Sequence, residues 1–435
     1  MLIRKLHLLT FLIALPLAAI AAEGGGGSIT LADALARTLR GSPELAAYNF
    51  EMRAAEARIL KAGLRPNPEL TLDIESPAGS GQFKDGDQGQ NTLSLSQLIE
   101  LGGKRPARIA EAQAGLAVTE WEYQVKRVEV LKVATLAFID ALAAQRRLEL
   151  AEEVVKVSGE AVTLTEQRVG VGKASAVESI RAKVAVSSAQ IEAEQARRDI
   201  ATARGFLAAQ WGMKQADFAS VKGDLENHPE GPSLAVLRQR LLSNPNLARW
   251  TAEREKREAV LAREQTLARP DITLMAGPRT FGREPDTTFI AGFSIPLPFN
   301  NRNQGNIAEA RANLAKLHEE KRAAEARAFA ALNEAYQKLA GALREIGILE
   351  ESVIPGAQEA EKQLNEGFAL GRFTFLETLD ARRTLNAARV QQLRAHADFQ
   401  KTRAELDALT ARAAELPRAS VAKSIPSKPT RAKRK

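Results

Sequence analysis

The chain has 435 residues, is 45% hydrophobic but only 5% aromatic, and carries a formal charge of +8. That length allows two or three domains, and an apolar share drawn mostly from Ala, Leu and Val suits closely packed long helices better than one thick globular core. With no cysteine anywhere, disulfides, thiol nucleophiles, thiolate metal sites and a lipid anchor on an N-terminal cysteine are all excluded.

Residues 1–22 read as a secretory signal. Arg4 and Lys5 form a basic end, 6–20 are apolar, and Ala19-Ile20-Ala21 supplies a cleavage pattern. The apolar run is short and is punctuated by Pro16, unlike a membrane span. A Gly-rich leader follows to Ser28. At the other end, 417–435 hold seven basic residues, no acid and no aromatic, as expected of a solvated, disordered tail. Subtracting those seven, with Arg4 and Lys5, from +8 leaves the body near −1. The basic, aromatic-bearing body of a nucleic-acid binder is missing. No other stretch approaches about 20 apolar residues, so an exported chain of this kind is periplasmic, secreted or held in a membrane by β-strands.

The body says nearly the same thing twice. Ser42-Pro43-Glu44-Leu45 is answered by Asn244-Pro245-Asn246-Leu247, and Asn67-Pro68-Glu69-Leu70 by Arg269-Pro270-Asp271-Ile272, both at an offset of 202. Ile109-Ala110-Glu111-Ala112 matches Ile307-Ala308-Glu309-Ala310, and Gly172 and Glu178 match Gly371 and Glu377 at an offset of 199. The slips belong in loops, where insertions cost little. The spacing predicts two structural repeats of one unit, 23–220 and 221–416.

Each repeat opens with a helical pattern. In the first it covers 31–64, with Thr30 as N-cap and Asp33 three residues on, and Pro66 and Pro68 end it. A strand over 69–75 follows, with Leu70, Leu72 and Ile74 on one face and Thr71, Asp73 and Glu75 on the other. A Gly-, Ser- and Asp-rich loop leads to a second strand over 92–96. The second repeat sets Ile272, Leu274 and Ala276 against Thr273 and Met275, then Phe289, Ala291, Phe293 and Ile295 against Thr288, Gly292 and Ser294. Taken singly, such hairpins read as surface hairpins packed on helices. Very long helices, each expected to run unbroken, come next at 107–169 and about 304–368. Gly turns follow at Gly170-Val171-Gly172 and Gly371-Arg372, then return helices at 174–211 and 374–414. The first return helix carries a coiled-coil spacing, Val177, Ile180, Val184, Ser187 and Ile191, that favours a helical hairpin.

At 1.5 Å per residue the long helices span about 95–100 Å, and the opening and return helices, about 50 and 57 Å, together match that length. Each repeat therefore gives two columns and one β-hairpin. Four strands cannot close a membrane barrel, which takes about eight or more. Three copies would supply twelve strands and twelve columns. The expected fold is mainly α with a small membrane β part: duplicated antiparallel helical hairpins forming an α-barrel in a homotrimer, with four strands per chain in a twelve-stranded β-barrel.

This organisation, from about Leu31 to Ala414, resembles the TolC-like outer-membrane factors, the exit ducts of tripartite efflux pumps and type I secretion. Two segments resemble the branch serving cobalt-zinc-cadmium cation efflux. Glu100-Leu101-Gly102-Gly103-Lys104-Arg105 follows the second strand, and Ile295-Pro296-Leu297-Pro298-Phe299-Asn300-Asn301-Arg302-Asn303-Gln304-Gly305 follows the fourth. The resemblance implies a passive outer-membrane duct with a long periplasmic extension. Its partners would be outer-membrane lipid, a periplasmic adaptor and an inner-membrane, proton-driven resistance-nodulation-division pump. It implies that Gly170, Gly172 and Gly371 mark the periplasmic tip where adaptors dock. It also implies an entrance latch in which Glu178 and Glu377 are acids and Arg372 their basic partner, with Phe368 where a tyrosine is expected.

No enzyme chemistry is legible. His7, His228, His318 and His396 are widely separated in sequence, and neither they nor the few methionines show metal-ligand spacing. His318 and His396 lie on polar stretches and read as solvated. There is no P-loop and no nucleophilic triad. No cofactor and no bound metal are expected. The alternatives are a multidrug or type I secretion duct of the same family, a periplasmic coiled-coil adaptor, or a secreted enzyme.

Overall fold

The computed structural model describes residues 27–77, 80–81, 89–282 and 286–412. The signal 1–22 and the basic tail 417–435 lie outside them. In chain order the elements are β1 (Ser28–Thr30), α1 (Leu31–Gly41), α2 (Pro43–Gly63), β2 (Glu69–Glu75), β3 (Gln90–Ile99), α3 (Lys104–Gly170), α4 (Ala176–Ala209) and β4 (Ser220–Lys222). Then come α5 (Leu234–Leu241), α6 (Pro245–Leu267), β5 (Ile272–Phe281), β6 (Asp286–Ser294), α7 (Gln304–Ile348), a π-helical segment (Leu349–Val353), α8 (Ile354–Ala369) and α9 (Phe375–Thr410).

The helices form four columns side by side. α2 and α4 stack end to end against α3. On the other side of α3 stand α6 and α9, which pack in turn on α7 and α8. Each stack is joined at a recognisable splice. Gly212, at φ +80°, sits so close to Pro43 that a Cβ there would come within 3.1 Å of the proline ring. In the second repeat the buried Asn244 does this work. Its Nδ2 donates to the carbonyls of Ala408 (2.8 Å) and Ala411 (3.3 Å) at the end of α9, while its Oδ1 accepts from Asn246 N–H (2.9 Å) at the start of α6. Around the first splice lies the largest apolar core, with Phe138, Leu142, Leu207, Trp211 and Phe218.

Three helix boundaries differ from the sequence pattern, each for a local reason. The opening helix is two helices, because Pro43 has no N–H to donate and holds Ser42 in extended backbone (ψ 119°). α3 begins at Lys104 because a proline in the first turn, here Pro106, is tolerated where N–H groups have no partner. The second long helix is not unbroken: Pro355 lies within it, and the turns just before it widen into the π segment Leu349–Val353.

The four long strands make one antiparallel sheet in the order β2-β3-β5-β6, so β3 and β5 join the two repeats. β2 has the expected bounds, and β3 is longer than expected because β5, at ten residues, pairs along its length. The register aligns Leu70 with Leu95, Leu72 with Leu93, and Leu274 with Phe293. One face is therefore a continuous apolar surface. It is exposed in the single chain, 84% at Phe289 and 73% at Phe293. The other face is polar, with Arg279 Nε donating to the buried Thr92 hydroxyl (2.9 Å). The short parallel pair β1 and β4 is not legible as strands in the sequence, three residues being too few to show alternation.

The two distinctive segments prove to be the joints between sheet and helices. In the first, Gly102 (φ +72°) and Gly103 (φ +79°) turn the chain, and a Cβ on Gly102 would collide with Arg269 at 2.5 Å. Lys104 Nζ pairs with Asp271 (2.7 Å), and Arg108 holds Glu100. In the second, Asn303 takes the left-handed place of Gly103, and its Nδ2 donates to the carbonyl and the carboxylate of Glu264 (both 2.8 Å).

The apolar stripe of α4 is a correction. A helical hairpin forms as expected, but α4 meets α3 through small residues, among them Ala189, Ala193 and Ala196. Val177, Ile180, Val184 and Ile191 point outward at 54–67% exposure, so in one chain this spacing has no facing helix.

Candidate functional site: the paired helical turns

Both turns use the same backbone device. At the end of α3, Lys173 N–H donates to the Arg168 carbonyl (2.8 Å) and Gly172 N–H to the Val169 carbonyl (3.0 Å). At the end of α8, Arg372 N–H donates to Gly367 (2.8 Å) and Gly371 N–H to Phe368 (3.0 Å). This double bond pair requires a left-handed residue at its corner, and Gly172 (φ +70°) and Gly371 (φ +76°) supply it. Gly170 differs: it is the last residue of α3, has no positive φ, and a Cβ there would meet open space.

Each return helix then starts on a capping hydroxyl. Ser175 Oγ accepts from Glu178 N–H (3.3 Å). Thr374 goes further. Its Oγ1 accepts from Glu377 N–H (3.4 Å), and its own N–H and hydroxyl donate to the Glu377 carboxylate (2.7 and 2.8 Å). Those bonds, the backbone one first, hold the Glu377 carboxyl below its usual range.

The predicted acid–base pairing is not made within the chain. Among the described residues no ion pair joins Arg372 to Glu178 or Glu377, and the Glu377 carboxylate is occupied in its cap. The basic residue that does bind is one the sequence reading missed. Arg168, on the last turn of α3, donates from Nη1 to the Phe368 carbonyl and lays its guanidinium over the Phe368 ring, 4.2 Å from the centroid. Phe368 is buried against Phe375 and Ala182. Lacking a tyrosine hydroxyl, it takes part through its ring and its carbonyl. The only sequence signal for this contact is a basic residue four positions before a turn glycine. Around the turns Val171, Leu370, Phe373 and Leu376 stay exposed.

A second pairing also escaped the sequence. His228 and His396 meet, with His228 Nε2 and His396 Nδ1 3.0 Å apart. His396 is 3% exposed, which corrects the expectation that it is solvated; His318 is exposed as expected. Among the described residues no three His, Asp or Glu side chains converge as ligands for a metal ion. No described helix is long and apolar enough to cross a membrane.

Two repeats joined through one sheet, with a Gly turn at the far end of each, define a recognisable type. The sequence profile of the outer membrane efflux protein family matches residues 34–213 and 236–412. The chain belongs to that family. It is 30% identical over 367 residues to the cobalt-zinc-cadmium resistance protein CzcC of Cupriavidus metallidurans, covering 84% of this chain and 86% of that one. It is 27% identical over 290 residues to the nickel-cobalt-cadmium resistance protein NccC of Alcaligenes xylosoxydans xylosoxydans, covering 65% of each. Its fold is shared with the CusC channel, at a TM-score of 0.72 and 17% identity over 88% of this chain and 92% of that one. Family membership removes the adaptor and secreted-enzyme alternatives. Both of these relatives, CzcC and NccC, are heavy-metal resistance proteins.

Proposed function

We propose that this chain is the passive outer-membrane exit duct of a heavy-metal efflux pump, working as a homotrimer with a periplasmic adaptor and an inner-membrane resistance-nodulation-division pump. The observation that carries the reading is that sheet and helical layer are open at corresponding margins. Among the described residues β2 and β6 are unpaired edges, with α2 and α4 at one margin of the helical layer and α7 and α8 at the other. Unpaired strand edges are not tolerated in lipid, and an apolar sheet face is not stable in water. Copies joining edge to edge satisfy both demands at once. They also give the exposed Val177, Ile180, Val184 and Ile191 stripe a facing helix, the neighbour's α7 or α8. α3, at 67 residues, would carry the tube about 100 Å into the periplasm.

The substrate class rests on the resistance proteins to which the chain is similar, and the scarcity of soft ligands suits a duct that passes cations without holding them. The turns at Gly172 and Gly371, with their exposed apolar fringe, are the working tip to which the adaptor docks. Arg372, unpaired with either acid in its own chain, faces Glu178 and Glu377 of neighbouring copies in the closed trimer. The purified complex should have the mass of three chains in detergent, and loss of the gene should sensitise cells to cobalt, zinc or cadmium rather than to organic drugs. A stable membrane monomer would end the barrel reading, and an organic-drug phenotype would end the metal one. Arg372→Glu should leave assembly intact and raise conductance in planar bilayers; unchanged conductance removes the latch.

A further inference from the structure

We propose that His228 and His396 form a proton-operated clamp that fastens the connector between β4 and α5 onto α9. The connector, residues 223–233, carries the chain from one repeat to the next and has no regular structure of its own. It is held to α9 by two side chains one turn apart. Gln400 Nε2 donates to the carbonyls of Leu225 (3.1 Å) and Asn227 (2.8 Å). His396 Nδ1 meets His228 Nε2 at 3.0 Å. The imidazole rings are near-parallel (12°), with centroids 4.9 Å apart, slipped so that these nitrogens meet. Phe399, 1% exposed, stands edge-on to His228 with centroids 4.6 Å apart and closes the site on its apolar side.

The two nitrogens share one proton. A zinc ion between them would need a wider gap, about 3.3 Å for tetrahedral Zn–N bonds of 2.0 Å, together with further ligands. Among the described residues no third His, Asp or Glu converges on the pair. The other nitrogen of His396 makes no hydrogen bond among the described residues, yet lies 3.6 Å from Glu350 Oε1 on the π segment. With its proton on Nε2, facing Glu350, His396 leaves Nδ1 bare to accept from His228 Nε2. A proton added to His396 Nδ1 sets two N–H groups against each other at 3.0 Å and puts a charge beside the Phe399 core, so the clamp opens.

The charged surroundings are mixed. Glu350, and Glu226 and Asp224 of the connector, favour protonation of His396; burial first and His228 second oppose it and prevail, holding His396 below the ordinary imidazole range. Arg146 of α3 faces Glu226 and Asp224 and offsets part of their charge. The folded chain thus binds fewer protons at His396 than the unfolded chain does. The clamp's contribution is complete above the ordinary value of 6.5 and is lost as pH falls through the lower folded value. An acidifying medium would free the connector and loosen the seam between the repeats.

Hydrogen exchange on the full chain in detergent tests this, with the rates of 223–233 corrected for intrinsic pH dependence. Protection there should fall about tenfold between about pH 7.5 and about pH 5. His228→Gln can donate from its amide nitrogen to a neutral His396 Nδ1 and, with the amide turned over, accept from a protonated one, so the connector should stay protected at both pH values. His318→Gln should leave the wild-type response unchanged. Protection that does not change with pH in the wild type, or an equal fall in His228→Gln, overturns the clamp. Stoichiometric Zn²⁺ that protects the connector in the wild type but not in His228→Gln would replace the proton with a metal and overturn it equally.

Discussion

The two tip turns share a backbone and differ in their side chains. At an offset of 199 residues, Arg168 of the first turn corresponds to Gly367 of the second. The carbonyls of both accept the same bond of the turn, from Lys173 N–H and from Arg372 N–H, but their side-chain positions do opposite things. Arg168 reaches across to the second turn. Gly367 keeps its place clear, and a Cβ there would lie 2.2 Å from the Phe373 ring. Duplication preserved what backbone geometry demands, a left-handed corner after a helix end. Their side chains make the first turn the arm and the second the socket, so one residue of α3 ties the two turns together.

Breaking the arm should have the largest effect. Arg168→Ala removes a charged hydrogen bond to a buried partner and a cation–π contact, about 2–4 kcal/mol of local tip stability. Because the chain has no cysteine, spin labels can be placed at Lys173→Cys and Arg372→Cys without background. The distance between the turns should broaden and lengthen in the variant, and Arg168→Lys should restore it only in part, since an ammonium cannot hold the carbonyl and cover the ring together. A distance unchanged in Arg168→Ala would show that helix packing alone couples the turns.

The shared backbone is tested next. Val at Gly172 or Gly371 must adopt a left-handed conformation, costing about 1–2 kcal/mol at either position. Ala at Gly170 faces open space in a helical conformation and should be neutral or slightly stabilising, since alanine is favoured over glycine in helices. Exchange rates at the ends of α3 and α8 separate these outcomes. Equal damage from Gly170→Ala and Gly172→Val would mean that the corner does not depend on φ.

The contrast between backbone and side chains also explains what the sequence reveals. Alternation gave Leu70, Leu72 and Ile74 their face, and the turn glycines gave the reversals, because both signals are local. The arm and the clamp are not local. Arg168 and Phe368 are 200 residues apart, and His228 and His396 are 168 apart. Each pair meets only after α3 has packed beside the second repeat, or after the connector has been laid along α9. The α4 stripe shows the converse: its period was legible, but a period says that something must be covered and not what covers it. Pro355 was in plain view, yet the widened turns it imposes, which bring Glu350 towards His396, depend on α7 and α8 continuing as one column.

The smallest expected effect separates the two return helices. α9 begins in a reciprocal cap, with Thr374 and Glu377 each bonded to the other, whereas Ser175 accepts from Glu178 without a return bond. Removing either hydroxyl, Ser175→Ala or Thr374→Ala, should cost about 1 kcal/mol at the helix start. Acid should act on one alone. Glu377 titrates below its ordinary 4.5 because its ionised form accepts both bonds from Thr374. The folded helix start then binds fewer protons than the unfolded one. Its stabilisation is present above that value and is lost as pH falls through the lower folded one. The first turn of α9 should therefore lose exchange protection on acidification while the first turn of α4 does not. Glu377→Gln, whose amide oxygen can still accept, should leave α9 insensitive to pH over the same range. Parallel losses at both helix starts would place the acid sensitivity in the tip as a whole and not in this cap.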